Sequence, residues 1–432
     1  MIEIRDKKNC CGCAACVQKC PKHCVSLKED EEGFLYPVVN VDKCIDCGLC
    51  EKVCPVLNQD KKHEPIGVYA AKNKNDETRK NSSSGGVFTL LAENVIKRGG
   101  VVFGARFDER WEVVHDYVED KEGISKFRGS KYVQSTIGDN YLKAEQFLKA
   151  GRKVLFSGTP CQIAGLKHFL RKDYDNLLTV DFICHGAPSP GVFRTFLRDE
   201  MHKAARQGGG KNTVSLPCIP LVTEKDGLDC KDVEIKSINF RDKRNGWKKY
   251  GFALALSKAS AVGEKNSVLL SYTRVDKHPY MDGFLKDLYL RPSCYACPAK
   301  GLSSGSDITL GDYWGFETLV PNADDDKGMS VVLTNTIKGQ EAIKAIEGSV
   351  LLYESNWDEL LPRNPALTHS AKLPTNRSVF FDNDGKTFDE KIEMLCKVPF
   401  SLRNTMTLWI QKIPRPIRNS AKQVLKFLGV RR

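Results

Sequence analysis

The sequence of 432 residues predicts an α/β protein with α+β elements, in which a small cysteine-rich domain precedes a larger domain built on a mixed or parallel sheet. The first observation is that ten of the 17 cysteines fall within residues 1–58. The second is that short apolar runs alternate with segments of helical periodicity after residue 138, as in sheets whose parallel strands are joined by helices.

Composition favours a cytoplasmic protein that contains metal over a secreted disulfide scaffold. The cysteine count is odd, and the opening MIEIRDKKNCC has no apolar run typical of a secretory signal. No stretch approaches the roughly 18 apolar residues of a membrane-spanning helix. The net charge is +12, but residues 401–432 contribute eight Lys or Arg and no Asp or Glu. We therefore expect no nucleic-acid partner.

The cysteines of the first domain follow one spacing twice. The pattern C-x2-C-x2-C-x3-C-P is that of bacterial ferredoxins with two [4Fe-4S] clusters, in which the fourth cysteine of each run binds the other cluster. The spacing therefore predicts one cluster on Cys10, Cys13, Cys16 and Cys54, and a second on Cys44, Cys47, Cys50 and Cys20. Zinc is the alternative, since C-x-x-C pairs also occur in zinc ribbons. Cys11 and Cys24 lie outside the register, and we expect them to pack beside the clusters.

After a polar connector at residues 61–65, GVYAAKN predicts a strand and NSSSGGVFTLLAENVIKRGG a loop that leads into a helix. Ser84, Gly85 and Gly86 lie where this helix begins. Free N–H groups at a helix N-terminus attract phosphate, although Ser and Gly are also ordinary capping residues. This stretch is therefore a candidate phosphate site.

Two strands, VVFGARFD and WEVVHDYVED, are followed by KFRGSKYVQS. Arg128, Ser130 and Lys131 of that segment are either ligands of a second phosphate or solvated surface residues. No nicotinamide fingerprint and no P-loop motif occurs in these segments.

From residue 138 the pattern becomes helix, strand, helix, strand, helix: GDNYLKAEQFLKAG, KVLFSG, TPCQIAGLKHFL, LLTVDFICHG and SPGVFRTFLRDEMHKAA. Thr159 is predicted as the N-cap of the second helix, with Pro160 at its first position and Gln162 completing a capping box. Cys161 follows one strand and Cys184 ends the next. Both thiols should therefore emerge at the carboxyl edge of the sheet, where ligands bind.

Cys294 and Cys297 form a C-x-x-C pair that ends in Cys-Pro, like the two ferredoxin runs. With Cys161 and Cys184 they are a candidate third [4Fe-4S] site. Zinc and buried inert thiols are the alternatives. Cys218, Cys230 and Cys396 have no ligand-like partners, and we expect them to be structural.

Taken in order, SSSGGVF, RGSKYVQS, FSGTPCQIAGL, ICHGAPSP, NFRDK, SCYACP and DITLGDYWG resemble the family of the beta subunit of coenzyme F420 hydrogenase and dehydrogenase. The resemblance covers about residues 67–335. Members with a fused N-terminal ferredoxin domain are similar to this chain. We divide the chain accordingly into the domain 1–58, the two parts 67–150 and 151–335 of the family domain, an accessory region 336–400 and a tail 401–432.

The resemblance implies an α/β domain that binds FAD, exchanges hydride with coenzyme F420 or another organic acceptor, and passes single electrons through iron–sulfur clusters. It also implies that Cys161, Cys184, Cys294 and Cys297 hold a cluster near the flavin. The expected flavin contacts are Ser84, Gly85, Gly86, Arg128, Ser130, Lys131 and Thr159. His185 is a candidate proton relay to the flavin, with an orienting or packing role as the alternative. Tyr313 and Trp314 would stack near the flavin ring or pack in the core.

Two other functions are compatible with these parts: a ferredoxin-dependent reductase of a specific metabolite, and an electron-transfer subunit with no substrate of its own. The expected partners are a redox protein or ferredoxin and a small hydride donor or acceptor.

The C-terminal tail has a separate pattern. Ala421, Val424, Leu425 and Leu428 form the apolar face of a basic amphipathic helix. Such a helix binds an anionic membrane peripherally, docks on a partner or packs on its own domain.

Overall fold

The computed structural model describes residues 1–206, 233–258 and 267–396. The chain divides into two compact units, Met1–Asp382 and Asn383–Arg432. None of the helices in the described ranges has the length and apolar character needed to cross a membrane. The predictions for the tail and for Cys218 and Cys230 concern residues outside the described ranges.

The strands and helices of the described residues have the following bounds. The described strands are β1 Val25–Glu29, β2 Leu35–Val39, β3 Gly67–Asn73, β4 Val101–Phe107, β5 Val113–Val118, β6 Val154–Gly158, β7 Leu177–Phe182, β8 Val233–Asp242, β9 Gly251–Lys258, β10 Ser267–Arg274, β11 Ile308–Asp312, β12 Ser330–Thr334 and β13 Val350–Glu354. The described helices of the first unit are α1 Ala15–Lys19, α2 Leu49–Lys52, α3 Asp76–Lys80, α4 Val87–Ile96, α5 Asn140–Lys149, α6 Pro160–Leu170, α7 Pro190–Arg206, α8 Pro279–Leu285, α9 Ile337–Lys344, α10 Trp357–Leu360 and α11 Arg377–Phe381. In the second unit, α12 spans Phe388–Cys396.

The small N-terminal domain is a pseudo-repeat. Strands β1 and β2 form an antiparallel pair, and each cysteine run contains one short helix, α1 or α2. Ala14 and Gly48, at matching places in the two runs, both adopt left-handed backbone conformations immediately before these helices, with φ of 59° and 69°. The same backbone turn therefore presents the cysteines of both runs.

The larger domain contains a mixed sheet, as the sequence predicts. In the described part of the chain its order is β13-β3-β12-β11-β7-β6-β4-β5. The central strands β11, β7, β6 and β4 are parallel, whereas β12, β3, β13 and β5 pair antiparallel at the flanks. Strands β8, β9 and β10 form a separate antiparallel sheet.

Two predicted site segments lie at the carboxyl edge of the sheet, one after β6 and one after β7. Strand β6 ends at Gly158, and α6 begins at Pro160 with the predicted capping box, in which the Thr159 N–H donates to Gln162 Oε1 at 2.9 Å. Strand β7 ends at Phe182 rather than at Cys184. Cys184 therefore lies in the loop just beyond the strand, where its side chain is not held by the alternation of the sheet.

Gly85 lies where the loop before α4 meets the sheet. Its N–H donates to Ser330 Oγ at 2.9 Å, and a Cβ at this position would lie 2.3 Å from the Ala71 carbonyl oxygen and 2.7 Å from the Ser330 nitrogen. The chain therefore needs glycine here for close backbone approach.

We predict that Gly85→Ala destabilises the protein by about 2 kcal/mol, because the backbone of β3 and β12 must shift to admit the methyl group. Anaerobic thermal unfolding followed by circular dichroism measures the effect. Gly348→Ala is the matched control, since nothing lies within 4 Å of its Cβ position. Equal melting temperatures for both variants would contradict the close approach.

Candidate cofactor cavity and cysteine clusters

The eight cysteines of the N-terminal domain separate into the two crossed sets that the spacing predicts. Cys10, Cys13, Cys16 and Cys54 line one small cavity, which we call cavity one. Cys20, Cys44, Cys47 and Cys50 line another, which we call cavity two. Each set thus combines three cysteines from one run with the fourth from the other.

The two cavities differ in exposure. Cys13, Cys16 and Cys54 of cavity one are buried, whereas Cys47 of cavity two is exposed. Burial, together with neighbouring thiols, raises the pKa of Cys16 to about 12. Bound iron supplies the positive charge that stabilises thiolates in such a place.

Backbone amides also point at the sulfurs of cavity two. The N–H groups of Ile2, Asp46 and Cys24 donate to the Sγ atoms of Cys50, Cys44 and Cys20 at 3.3, 3.4 and 3.4 Å. Amide donors of this kind stabilise cluster sulfurs. The local backbone therefore fits an iron–sulfur cluster.

The two cysteines outside the register lie beside these sets. Cys24 lines cavity two, with its Sγ 3.3 Å from that of Cys20. Cys11 is buried and lines both cavity one and a much larger cavity in the α/β domain. Cys11 therefore marks the wall that the two cavities share.

The larger cavity has a volume of about 590 Å³ and is flanked by the carboxyl ends of β6 and β7. It is lined by most of the predicted cofactor contacts and by all four predicted cysteines of the third site: Ser84, Gly86, Arg128, Ser130, Lys131, Thr159, His185, Cys161, Cys184, Cys294 and Cys297. Gly85 is not among the described residues that line it, because Gly85 packs against β3 and β12. The volume is that of a typical organic-ligand site.

Hydroxyl and cationic groups cluster where the loop before α4 meets residues 128–131. Ser83 Oγ accepts from the N–H of Ser130 at 2.6 Å and from its hydroxyl at 2.8 Å. The half-buried Lys131 donates from Nζ to the carbonyls of Lys126 and Arg128, both at 3.0 Å. Burial lowers the pKa of Lys131 to about 7. An anion bound here would restore its charge.

The four cysteines of the third set come from three segments: the first turn of α6, the loop after β7, and the 3-10 helix Pro292–Ala296 with the residue after it. Burial raises the pKa of Cys294 to about 12 and that of Cys184 well above its usual range. The Ala187 N–H donates to Cys294 Sγ at 3.3 Å, and Thr159 Oγ1 lies 3.2 Å from Cys161 Sγ. Across the described ranges, no three Cys, His, Asp or Glu side chains converge closely enough to hold a single metal ion.

Two buried cations lie beside this set, and sequence reasoning missed both. Lys300, 7% exposed, donates from Nζ to the carbonyls of Cys184 and Ala366, both at 2.7 Å. Arg291, 1% exposed, donates to carbonyls, to the Gln134 amide oxygen and to a cysteine sulfur. Neither cation has a carboxylate among its described hydrogen-bond acceptors. Buried charge requires compensation. An anionic cluster on the four thiols fits that need for Lys300, and a cluster in cavity one fits it for Arg291, which contacts Cys10 Sγ.

His185 is fixed at the cavity wall. Its Nε2 lies 2.6 Å from Asp287 Oδ1, and its ring meets the Phe284 ring edge-on at 5.1 Å between centroids. This geometry orients the imidazole. Whether His185 transfers a proton stays a prediction.

The two aromatic candidates differ. Tyr313 is fully buried in the core, whereas Trp314 lines the cavity and stacks on Trp247 at 4.6 Å between centroids. Arg241, from the NFRDK segment, also lines the cavity and pairs with Asp312. A buried Arg–Asp pair between two distant strands carries no spacing signal, so only the fold reveals it.

Crossed cysteine sets beside a large cavity that holds a third set define an iron–sulfur protein of electron-transfer type. Residues 9–58 match the 4Fe-4S dicluster domain. Residues 68–139 match the N-terminal part of the coenzyme F420 hydrogenase/dehydrogenase beta subunit, and residues 151–206 and 219–359 match its C-terminal part. The chain belongs to this family, with a ferredoxin domain at its N-terminal end.

Three relatives illustrate the similarity. An uncharacterized protein of Methanocaldococcus jannaschii is 27% identical over 204 residues, which are 40% of this chain and 56% of that protein. The coenzyme F420-dependent sulfite reductase of the same organism is 32% identical over 177 residues, 38% of this chain and 26% of the reductase. One subunit of the F(420)H(2) dehydrogenase of Methanosarcina mazei is 25% identical over 203 residues, 43% of this chain and 55% of that protein. The chain thus spans from about a quarter to just over half the length of these relatives.

The crossed arrangement predicts that Cys54→Ser disturbs the cluster that also depends on Cys16, because both line cavity one. Electron paramagnetic resonance of the reduced full chain measures this. Cys54→Ser should change the same signal as Cys16→Ser and leave intact the one that Cys50→Ser removes. A Cys54→Ser spectrum that matches Cys50→Ser would contradict the crossing.

Proposed function

We propose that this protein is an iron–sulfur flavoprotein oxidoreductase that binds FAD in the large cavity and exchanges hydride with coenzyme F420 or a similar organic carrier. One observation supports the proposal above the others. A single cavity of about 590 Å³ is lined both by candidate phosphate ligands and by a partly buried set of four cysteines. The phosphate ligands would hold the cofactor, and a cluster on the cysteines would lie beside it to exchange electrons with it.

Several groups fit the diphosphate of FAD. The hydroxyls of Ser83, Ser84 and Ser130 and the cations of Arg128 and Lys131 line one region of the cavity. The helix α4 begins there after Gly86, whose φ of 80° turns the chain into the helix. A helix N-terminus adds N–H groups and a positive dipole end. We assign the phosphates to this region.

Cys161, Cys184, Cys294 and Cys297 would hold a third [4Fe-4S] cluster. The buried charge of Lys300 supports this, because Lys300 donates to the Cys184 carbonyl and an anionic cluster would compensate its charge. When bound, FAD supplies the conversion between a two-electron hydride and single electrons. Cavity one then lies next along the path, and cavity two, with exposed Cys47, lies nearest to solvent. We propose that a redox partner protein docks there.

His185 is the proposed proton carrier at the cavity wall. Asp287 holds its Nε2, which leaves Nδ1 available to carry a proton.

The names of two relatives bear on the choice of hydride carrier. The sulfite reductase and the dehydrogenase both carry coenzyme F420 in their names. That chemistry supports the deazaflavin as the first carrier to test.

The proposal is tested by mixing the anaerobically purified protein with reduced coenzyme F420 and following the flavin and iron–sulfur absorbance. Bleaching at turnover rates is the expected result. No bleaching by a sample that contains flavin and clusters would favour a ferredoxin-dependent reductase of another metabolite. Full iron content without flavin, and no reaction with any hydride donor, would favour an electron-transfer subunit.

The pKa of Lys131 predicts how FAD affinity depends on pH. Below pH 7 the free site already carries the charged lysine, so affinity is constant there. Above pH 7 binding must take up a proton, so Kd rises by up to about tenfold per pH unit. Flavin fluorescence quenching by flavin-depleted protein measures this. Lys131→Met should abolish the pH dependence, and Lys126→Gln, an exposed neighbour, should retain it. A pH-independent Kd in the unsubstituted chain would contradict the assignment.

A further inference from the structure

One buried side chain joins the ferredoxin domain to the cofactor cavity. Arg291 Nε donates to the Cys10 carbonyl at 2.7 Å, and its Nη2 lies 3.4 Å from Cys10 Sγ. Nη2 also donates to the Leu35 carbonyl at 2.9 Å, and Nη1 donates to Gln134 Oε1 at 2.9 Å. The guanidinium thus spans the boundary between cavity one and the large cavity.

The residues around the Arg291 guanidinium exclude water from its charge. Arg291 is 1% exposed, and its guanidinium lies 4.3 Å from the centre of the Tyr36 ring and 5.3 Å from that of Phe34. Gly12 allows the approach, because a Cβ there would lie 2.9 Å from Nη1. Salt and water therefore screen this positive charge less than they would screen a charge at the surface.

The backbone of Arg291 contacts the third cysteine set, whereas its side chain contacts cavity one. Its carbonyl accepts from the Cys294 N–H at 2.8 Å, at the start of the 3-10 helix that bears Cys294. The side chain, by contrast, binds the loop of Cys10. Arg291 therefore contacts a cysteine of cavity one and a cysteine of the large cavity.

We propose that Arg291 sets the reduction potential of the cluster in cavity one and raises it above the value the cysteines alone would give. Adding an electron makes a thiolate-bound cluster more negative, so a nearby fixed cation favours the reduced form. Among the described contacts, the sulfurs of cavity two receive backbone N–H donors but no side-chain cation. Arg291 thus acts on the cluster nearer to the cofactor cavity.

A redox titration of the full chain, monitored by electron paramagnetic resonance, tests the proposal. The signal of cavity one is identified by its loss in Cys16→Ser. In Arg291→Gln the midpoint reduction potential of this cluster should be lower by at least about 59 mV. This shift corresponds to a tenfold change in the ratio of oxidised to reduced cluster at a given potential. Arg291→Lys keeps the charge and should recover most of the shift.

Two further variants make the result decisive. Lys22→Gln removes an exposed cation from the lining of cavity two and should leave the cavity-one potential unchanged. Gln134→Glu places a carboxylate against the guanidinium without removing it and should also lower the potential. If Arg291→Gln fails to assemble the cluster, Gln134→Glu decides the question.

Unchanged potentials in Arg291→Gln and Gln134→Glu would overturn the proposal. Equal shifts in Arg291→Gln and Arg291→Lys would do the same, because they would show a purely structural role. The inference rests on the dicluster domain and not on flavin or substrate. Its failure is therefore distinguishable from failure of the proposed function.

Discussion

Burial of positive charge among thiols is the constraint on which the site depends. Arg291 and Lys300 are removed from water, and their described acceptors are carbonyls, an amide oxygen and a sulfur. The thiols around them have raised pKa values, so in the absence of metal they stay neutral and supply no negative charge to the two cations. The iron–sulfur clusters that we propose would supply it, because iron binds the thiols as thiolates and a thiolate-bound cluster is anionic. If these clusters form, folding of the cavity walls and cluster assembly are coupled.

The sheet explains how so many cysteines meet. Parallel strands β6 and β7 end at the same edge, so Cys161 and Cys184 lie at neighbouring positions although separate connections carry them. The C-x-x-C pair reaches the same cavity from the segment before β11, which is parallel to β7. The N-terminal domain packs its buried helix α1 near α6, and Gly165 admits Cys13, whose Sγ would lie 2.9 Å from a Cβ there. Close contact between the two domains brings cavity one to the large cavity.

The sequence predicts the local features of this arrangement well. The double cysteine spacing, the capping box at Thr159 and the α/β alternation are set by neighbours within a few residues, and the structure contains each of them. Contacts between residues far apart in the chain could not be predicted from the sequence alone. Arg291 meets Cys10 across 281 positions of sequence, and no periodicity links the two. Gly85 and Gly86 look alike in a Ser-Gly run, yet one packs against β3 and the other lines the cavity. Cys11 resembles a spare thiol in the sequence, and only packing shows that it lies in the wall between the cavities.

We propose that a third cluster lies beside the organic cofactor in the large cavity. The iron content of the anaerobically purified chain, compared between Cys184→Ser and the unsubstituted protein, tests for this third cluster. We expect a loss of about four iron atoms per chain, with the ferredoxin signals retained. Cys24→Ser, which changes a thiol outside the predicted ligand sets, should lose none. Unchanged iron in Cys184→Ser, or zinc in place of iron at this site, would contradict a third iron–sulfur cluster in the large cavity.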